Sequence, residues 1–188
     1  MTLVQPGLAH ALLLAVATQR LAELAWSLRN ERRLAALGAH EAAPEQHAWF
    51  VALHVGWLAA MAVASDWQSA VNVYWLAVYA VLQAFRIWIL CSLGDRWTTR
   101  ILHLPGVPLV RRGPYRYLAH PNYVLVAWEL VTLPLALGLW PIALAAGLAN
   151  LPLTCWRISA EERALGLRPG TPSRPGMESA ACGLAERH

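Results

Sequence analysis

The chain has 188 residues, enough for one domain, and 57% of them are apolar, giving a mean hydropathy of +0.40. Charged residues make up only 14% of the chain, well below the roughly 25% of soluble domains. This composition excludes an ordinary soluble domain and predicts an integral membrane protein. The basic residues are all arginine, and the net charge is +4. Because these arginines lie between hydrophobic spans, the charge indicates membrane topology, and we expect no nucleic-acid partner.

Five hydrophobic spans are predicted, each near the roughly 20 residues that a bilayer requires. The break at Trp140-Pro141 makes the last two a helical hairpin, and Pro134 and Pro152 can kink its helices. The predicted fold class is therefore an all-α integral membrane protein with five transmembrane helices. Residues 1–165 form the membrane domain, and the proline- and glycine-rich residues 166–188 are expected to be disordered. The spans cover residues 8–28, 47–64, 71–93, 122–139 and 142–156.

The arginines alternate between the two sides of these spans. The loop after the first span has three, the loop after the third has five, and the segment from Arg157 has five, whereas the other loops have none. The positive-inside rule then puts the N-terminus outside and the C-terminus in the cytoplasm. We expect a bacterial inner-membrane protein whose polar loops face the cytoplasm, where charged soluble cofactors occur.

Several polar residues fall inside the spans. Arg20 and Glu23 are three residues apart on one helix face, so they are predicted to pair with each other. Arg86 and Glu129 are predicted to pair between the third and fourth spans, although charges inside a membrane also suggest a function.

Neither the cysteines nor the histidines of the second span predict a metal site. His47 and His54 lie seven apart on one face without a third ligand, which favours packed or interfacial histidines. The three cysteines (Cys91, Cys155 and Cys182) have neither an even count nor zinc-site spacing, so no disulfide framework is predicted either.

The most polar run of the chain extends from Arg111 to Tyr123, immediately before the fourth span. Pro114 and Pro121 each favour extended geometry in the residue before them, so the run is predicted to be a stiff connector. Pro121 also suits the first position of the following helix.

A second polar region follows the fifth span. Arg157 and Glu161 are four residues apart and share a helix face, which also fits a helix end anchored by snorkelling charges. Because the last two spans form a hairpin, this face and the connector are predicted to converge at one cytoplasmic site.

Three elements in this order resemble the isoprenylcysteine carboxyl methyltransferase family: Gly113-Pro114-Tyr115-Arg116, His120-Pro121-Asn122-Tyr123 and, after a hydrophobic hairpin, Arg157 with Glu161-Glu162. The resemblance covers about residues 94–165. It implies S-adenosyl-L-methionine as methyl donor and a lipophilic acceptor that enters from the bilayer, either prenylcysteine-like or an alkylated pyrone or phenol. Arg157 would orient the anionic acceptor oxygen, and Arg157 and Glu161 would be the catalytic pair. The implied cofactor-binding residues are Val107, Pro108, Leu109, Val110, Tyr115, His120, Pro121, Asn122, Tyr123 and Glu161.

One position departs from the family pattern, and two other functions stay open. Ala119 stands where the family usually has a basic residue, and Arg116 could supply that contact. An NADPH-dependent membrane reductase shares the His-Pro-x-Tyr fragment, although such reductases generally have more than five spans. A non-catalytic membrane subunit is the third possibility. The sequence predicts neither the acceptor's identity nor the oligomeric state.

Overall fold

The computed structural model describes residues 2–164; the predicted tail at 166–188 and Cys182 lie outside the described residues. Within them the chain forms five α-helices, one for each predicted span, and the all-helical architecture is confirmed. The segments Leu8–Ala36, Glu45–Ala64 and Val73–Arg96 are each long and apolar enough to cross a membrane. The helices are α1 (Leu8–Ala36), α2 (Glu45–Ala64), α3 (Val73–Leu93), α4 (Pro121–Ala136) and α5 (Trp140–Ala164).

The helix ends follow local chemistry. Pro121 is the first residue of α4, as predicted. The third span was predicted to begin at residue 71, but α3 begins at Val73 because the Asn72 side chain accepts hydrogen bonds from the backbone N–H groups of Tyr74 and Trp75. The helix α5 continues beyond the predicted end at residue 156, so Arg157 and Glu161 lie within it.

Two antiparallel strand pairs add to the helices and were not predicted. The strands are β1 (Thr2–Leu3), β2 (His40–Ala42), β3 (Val71–Asn72) and β4 (Ile101–His103). β1 pairs with β3, and β2 pairs with β4 with His40 opposite His103. The second pair fastens the loop between α1 and α2 to the segment that follows α3, and this segment forms part of the site described below.

Apolar side chains occupy both the inside and the outside of the helix bundle. Leu13, Met61 and Leu133 belong to one buried cluster, while Ile89 and Leu125 belong to a second. Many large apolar side chains point outward instead, as expected of helices that contact lipid. Examples on the first three helices are Leu14, Leu21, Val55, Val63, Val81 and Ile87.

A buried ionic network lies between these two clusters, where α1, α3 and α4 meet. Arg86 donates through Nε to Glu129 Oε1 at 2.8 Å, and its Nη2 also contacts Glu129. Arg86 Nη1 reaches Glu23 Oε2 at 2.9 Å, and Arg20 bridges Glu23 and Glu129 at 2.9 Å each. The predicted Arg86–Glu129 and Arg20–Glu23 pairs are confirmed. Gln83 donates a further hydrogen bond to Glu129. The charges of the two arginines and the two glutamates balance each other inside the bundle.

The proline inside α4 is accommodated by a neighbouring helix. Pro134 has no N–H, so the carbonyl of Leu130, four residues earlier, lacks its helical donor. Trp57 on α2 donates its indole N–H to that carbonyl at 3.1 Å. This contact satisfies the freed carbonyl inside the bundle.

The connector between α3 and α4 contains two 3₁₀ turns, Gly94–Arg96 and Gly113–Arg116. The expectation of extended geometry before Pro114 is wrong, because Gly113 has φ +59 and glycine adopts positive φ without steric cost. Gly113 packs against the side chains of Ser92 and Trp88, and Arg112 Nε donates to the carbonyl of Ser92 at 2.7 Å. The connector is therefore anchored on the end of α3.

We predict that Gly113→Ala destabilises the protein more than Gly138→Ala. Both glycines have positive φ, which costs an L-residue about 1–2 kcal/mol. A Cβ at Gly113 would also overlap Ser92, whereas one at Gly138 meets open space. Thermal unfolding of the two variants in the same detergent tests this, and equal unfolding temperatures would contradict the packing argument.

Candidate functional site

A pocket of about 390 Å³ lies at the end of the bundle where the connector meets α1, α4 and α5. Its volume is within the range of small-molecule sites. Pro121 is not among its lining residues, since it is buried at the start of α4. The other predicted residues all line it, namely Val107, Pro108, Leu109, Val110, Tyr115, His120, Asn122, Tyr123, Arg157 and Glu161.

The hydroxyl of Tyr123 is the centre of the polar wall of this pocket. It donates to Glu161 Oε2 at 2.6 Å and accepts from Arg157 Nε at 3.3 Å. One turn of α5 separates Arg157 from Glu161, which places both side chains beside the first turn of α4. The predicted convergence of the connector end and the end of α5 is therefore present in the fold.

Contacts on several sides hold the Arg157 guanidinium in one orientation. Its carbon lies 4.9 Å from the centre of the Phe50 ring and 6.0 Å from that of Tyr123. Its Nη2 donates to the backbone carbonyl of Thr99 at 2.6 Å. Among residues 2–164, its Nη1 has no hydrogen-bond partner, and the residue is only 8% exposed. A buried cation with fixed plane and free N–H donors can bind an anionic oxygen.

His120 lies beside the carboxylate of Glu161. Its Nδ1 is 3.5 Å from Glu161 Oε2, its Nε2 is 3.8 Å from Glu162 Oε1, and its ring stacks on that of Tyr123 with centroids 5.4 Å apart. Glu161 and His120 are both groups that can accept a proton. The site thus places the fixed guanidinium of Arg157 near two side chains that can accept a proton.

The side of the pocket formed by the connector and the start of α4 carries two polar atoms without hydrogen-bond partners. Among the described residues, Trp97 Nε1 and Asn122 Oδ1 are buried without a hydrogen-bond partner, and both residues line the pocket. Burial and the negative charge of Glu161 raise the pKa of the Tyr115 phenol, so this side chain stays neutral at physiological pH. One buried donor and one buried acceptor beside the pocket therefore remain without a partner.

Ala119 lines the pocket, but Arg116 does not. The Arg116 guanidinium lies over the ring of Tyr117, 5.9 Å from its centre. The connector arginines that do line the pocket are Arg96, Arg100 and Arg111.

Sequence reasoning missed the part of the site that comes from the first half of the chain. Phe50 on α2 and Leu34 on α1 contribute to it. Thr99 of the connector, which holds Arg157, was missed as well. For Phe50 and Leu34 the sequence carries no signal, since each is one apolar residue in an apolar helix. For α1 a signal exists: polar residues recur every fourth position at Gln19, Glu23, Ser27 and Glu31, which marks one helix face.

Residues 75–166 match the isoprenylcysteine carboxyl methyltransferase family. The chain belongs to this family. Among curated proteins it is similar to the uncharacterized protein YpbQ of Bacillus subtilis (strain 168), with 35% identity over 151 residues, 78% of this chain and 90% of the relative. No solved structure matches the chain. Residues 2–164 contain three helices that are long and apolar enough to span a membrane. Together with the family match, they identify the chain as a membrane protein of a methyltransferase family.

The family match begins in α3 and ends just beyond α5. It therefore includes the connector, the hairpin and the polar wall formed by Tyr123, Arg157 and Glu161. The helices α1 and α2 lie outside it, although Leu34 lines the pocket and Phe50 stacks on Arg157.

Proposed function

We propose that the chain is an S-adenosyl-L-methionine-dependent O-methyltransferase that acts on a carboxylate or an acidic hydroxyl of a lipophilic acceptor. The observation that carries this proposal is the contact chain from Arg157 through the Tyr123 hydroxyl to Glu161 inside one pocket. It puts an anion-binding group and a carboxylate side by side in a family of methyltransferases.

The residues of the connector side fit S-adenosyl-L-methionine, a ligand with an aromatic base, hydroxyl groups and a charged amino-acid portion. Val107, Leu109 and Tyr115 offer apolar and aromatic surface, and Glu161 offers a carboxylate to hydroxyl or ammonium groups. The unpartnered Trp97 indole N–H and Asn122 amide oxygen supply a donor and an acceptor. When bound, S-adenosyl-L-methionine supplies an electrophilic methyl group.

Arg157 would hold the acceptor oxygen. A carboxylate is already ionised at neutral pH, so a site for it needs alignment and exclusion of water more than a strong base. The guanidinium, fixed by Phe50, Tyr123 and the Thr99 carbonyl, provides that alignment. A hydroxyl acceptor must also lose its proton, and Glu161 with His120 beside it would accept that proton.

We further propose that all five helices span the bilayer, with the N-terminus outside and the site facing the cytoplasm of a bacterial inner membrane. The distribution of arginines supports this orientation. The donor would then enter from the cytoplasm, and the lipophilic acceptor would enter laterally from the bilayer. A cytoplasmic reporter fused to the C-terminus should be active, and an inactive fusion would contradict the five-span layout.

Binding of S-adenosyl-L-methionine to the purified protein in detergent, measured by calorimetry, tests the donor assignment. We expect saturable binding by the wild type, weakened by roughly tenfold or more in Glu161→Ala and His120→Ala because each loses a polar contact. Glu45→Ala, which removes an exposed carboxylate at the start of α2, is the matched control and should bind normally. Binding of NADPH in place of S-adenosyl-L-methionine would overturn the proposal in favour of a reductase. Binding of neither compound would favour a non-catalytic subunit.

We predict that Tyr123→Phe lowers methyl transfer by roughly tenfold or more, because the hydroxyl makes two hydrogen bonds and both are to charged groups. The ring, and with it the stacking on His120, is kept, while the hydroxyl between Arg157 and Glu161 is lost. Initial rates with an S-farnesyl cysteine and with an alkylated hydroxypyrone measure the effect. Rates equal to those of the wild type for both acceptors would show that this hydroxyl does not organise the site.

A further inference from the structure

Ser27, in the middle of the polar face of α1, bonds to the connector as well as to a side chain of its own helix. Among the described helices, the hydroxyls of Thr18, Ser92 and Thr132 each donate to the backbone carbonyl four residues earlier, the usual local bond for such residues. Ser27 instead accepts from the backbone N–H of Thr99 at 2.7 Å. This bond crosses from α1 to the connector, and Ser27 is 0% exposed.

Glu31, one turn further along α1, contacts both Ser27 and Thr99. Ser27 Oγ donates to Glu31 Oε1 at 2.6 Å, and the Thr99 hydroxyl lies 3.0 Å from Ser27 Oγ and 3.3 Å from Glu31 Oε1. Arg100, the residue after Thr99, contacts Glu31 Oε2 at 3.4 Å and both Glu41 oxygens at 2.9 Å. Thr99 is therefore fixed through its N–H and its hydroxyl, and its neighbour is fixed through an ion-pair network.

The remaining polar group of Thr99, its carbonyl oxygen, accepts from Arg157 Nη2 at 2.6 Å. The backbone N–H of Thr99 thus bonds to Ser27, and its backbone carbonyl bonds to Arg157. A third α1 side chain stiffens the preceding residues, since Asn30 Nδ2 donates to the carbonyls of Trp97 and Gly94 at 2.8 and 3.2 Å. The position of the guanidinium depends on how these bonds hold the connector.

We infer that Ser27 and Glu31 are positioning residues for Arg157, so that α1 takes part in binding the acceptor although it touches no reacting atom. This inference rests on the proposed role of Arg157 and adds a part of the site that lies outside the family match at residues 75–166. Loss of the Ser27 hydroxyl frees Thr99 to move and leaves its partly buried N–H without that acceptor. The guanidinium of Arg157 then loses its fixed orientation, while the residues proposed to bind S-adenosyl-L-methionine keep their contacts.

Kinetics of Ser27→Ala in detergent, with an alkylated hydroxypyrone and an S-farnesyl cysteine as acceptor probes, test the inference. We expect the KM for whichever probe the wild type methylates to rise roughly tenfold, with the Kd for S-adenosyl-L-methionine unchanged. Thr99→Val keeps the backbone bonds and removes only the hydroxyl, so it should raise the same KM less; it serves as the test if Ser27→Ala does not fold. Thr18→Ala removes a hydroxyl from the same helix whose bond stays within that helix, and it should leave the KM unchanged.

A double-mutant cycle with Arg157→Lys separates positioning from loss of stability. If Ser27 acts through Arg157, Ser27→Ala adds little to the KM of Arg157→Lys, whereas independent effects add. An unchanged KM in Ser27→Ala and Thr99→Val, or full additivity in the cycle, would overturn the inference. Failure of the wild type to bind S-adenosyl-L-methionine would instead overturn the proposed function, so the two failures are distinguishable.

Discussion

Replacing Glu129 by leucine is expected to destabilise the protein by about 3–5 kcal/mol, the cost of leaving buried charges without their partner. Glu129 is 1% exposed and accepts from Arg86, Arg20 and Gln83. Its removal leaves two arginines facing Glu23 alone between the apolar clusters of the bundle. The measurement is the unfolding temperature of the purified protein in detergent.

The double variant Arg86→Met with Glu129→Leu is the matched control. It removes one cation and one anion together and leaves the Arg20–Glu23 pair neutral. Removing both partners of a buried pair costs less than removing one, so the double variant should be more stable than Glu129→Leu. If the double variant is the less stable of the two, then charge balance is not what the network provides.

Replacing Arg157 by alanine is expected to lower kcat/KM for the acceptor on the order of a hundredfold, since hydrogen bonds to a charged group contribute about 1.5–3 kcal/mol. The guanidinium is the cationic group that touches the Tyr123 hydroxyl, and its plane is set by Phe50 and the Thr99 carbonyl. Arg157→Lys keeps the charge without the planar fork and should fall between wild type and alanine.

Arg163→Ala is the control for an arginine lost from the same helix. Arg163 donates to the carbonyl of Ser159 within α5 and does not line the pocket. Its replacement should leave kcat/KM unchanged. Equal losses in the two alanine variants would mean that Arg157 acts only as an anchoring charge at the helix end, the snorkelling interpretation that its sequence position also allows.

The helices and the ionic pairing could be predicted because their signals are local or nearly unique. Apolar runs of bilayer length give the five helices, and an intramembrane charge has few possible partners, so Arg86 with Glu129 follows from the sequence. The convergence of His120 and Tyr123 with Arg157 and Glu161 followed from one topological fact, the hairpin of α4 and α5.

The contacts of the connector with the first half of the chain could not be predicted in the same way. The pairing of β2 with β4 joins strands of three residues each, too short for a periodic signal. The positive φ of Gly113 depends on packing against Ser92, which no local rule for residues before proline includes. Thr99 is an ordinary residue in the sequence, and only the fold brings it to Ser27 on the polar face of α1.

Transfer of labelled methyl groups from S-adenosyl-L-methionine into lipid-soluble product tests the central claim most directly. Membranes that contain the wild type should label such a product in the presence of an S-farnesyl cysteine or an alkylated hydroxypyrone, and membranes with Arg157→Ala should label far less. A base-labile label would mark a methyl ester on a carboxylate, and a base-stable label would mark an ether on a hydroxyl. Labelling by the wild type that does not exceed labelling by membranes without the protein, for both acceptors, would contradict the assignment of this site to methyl transfer.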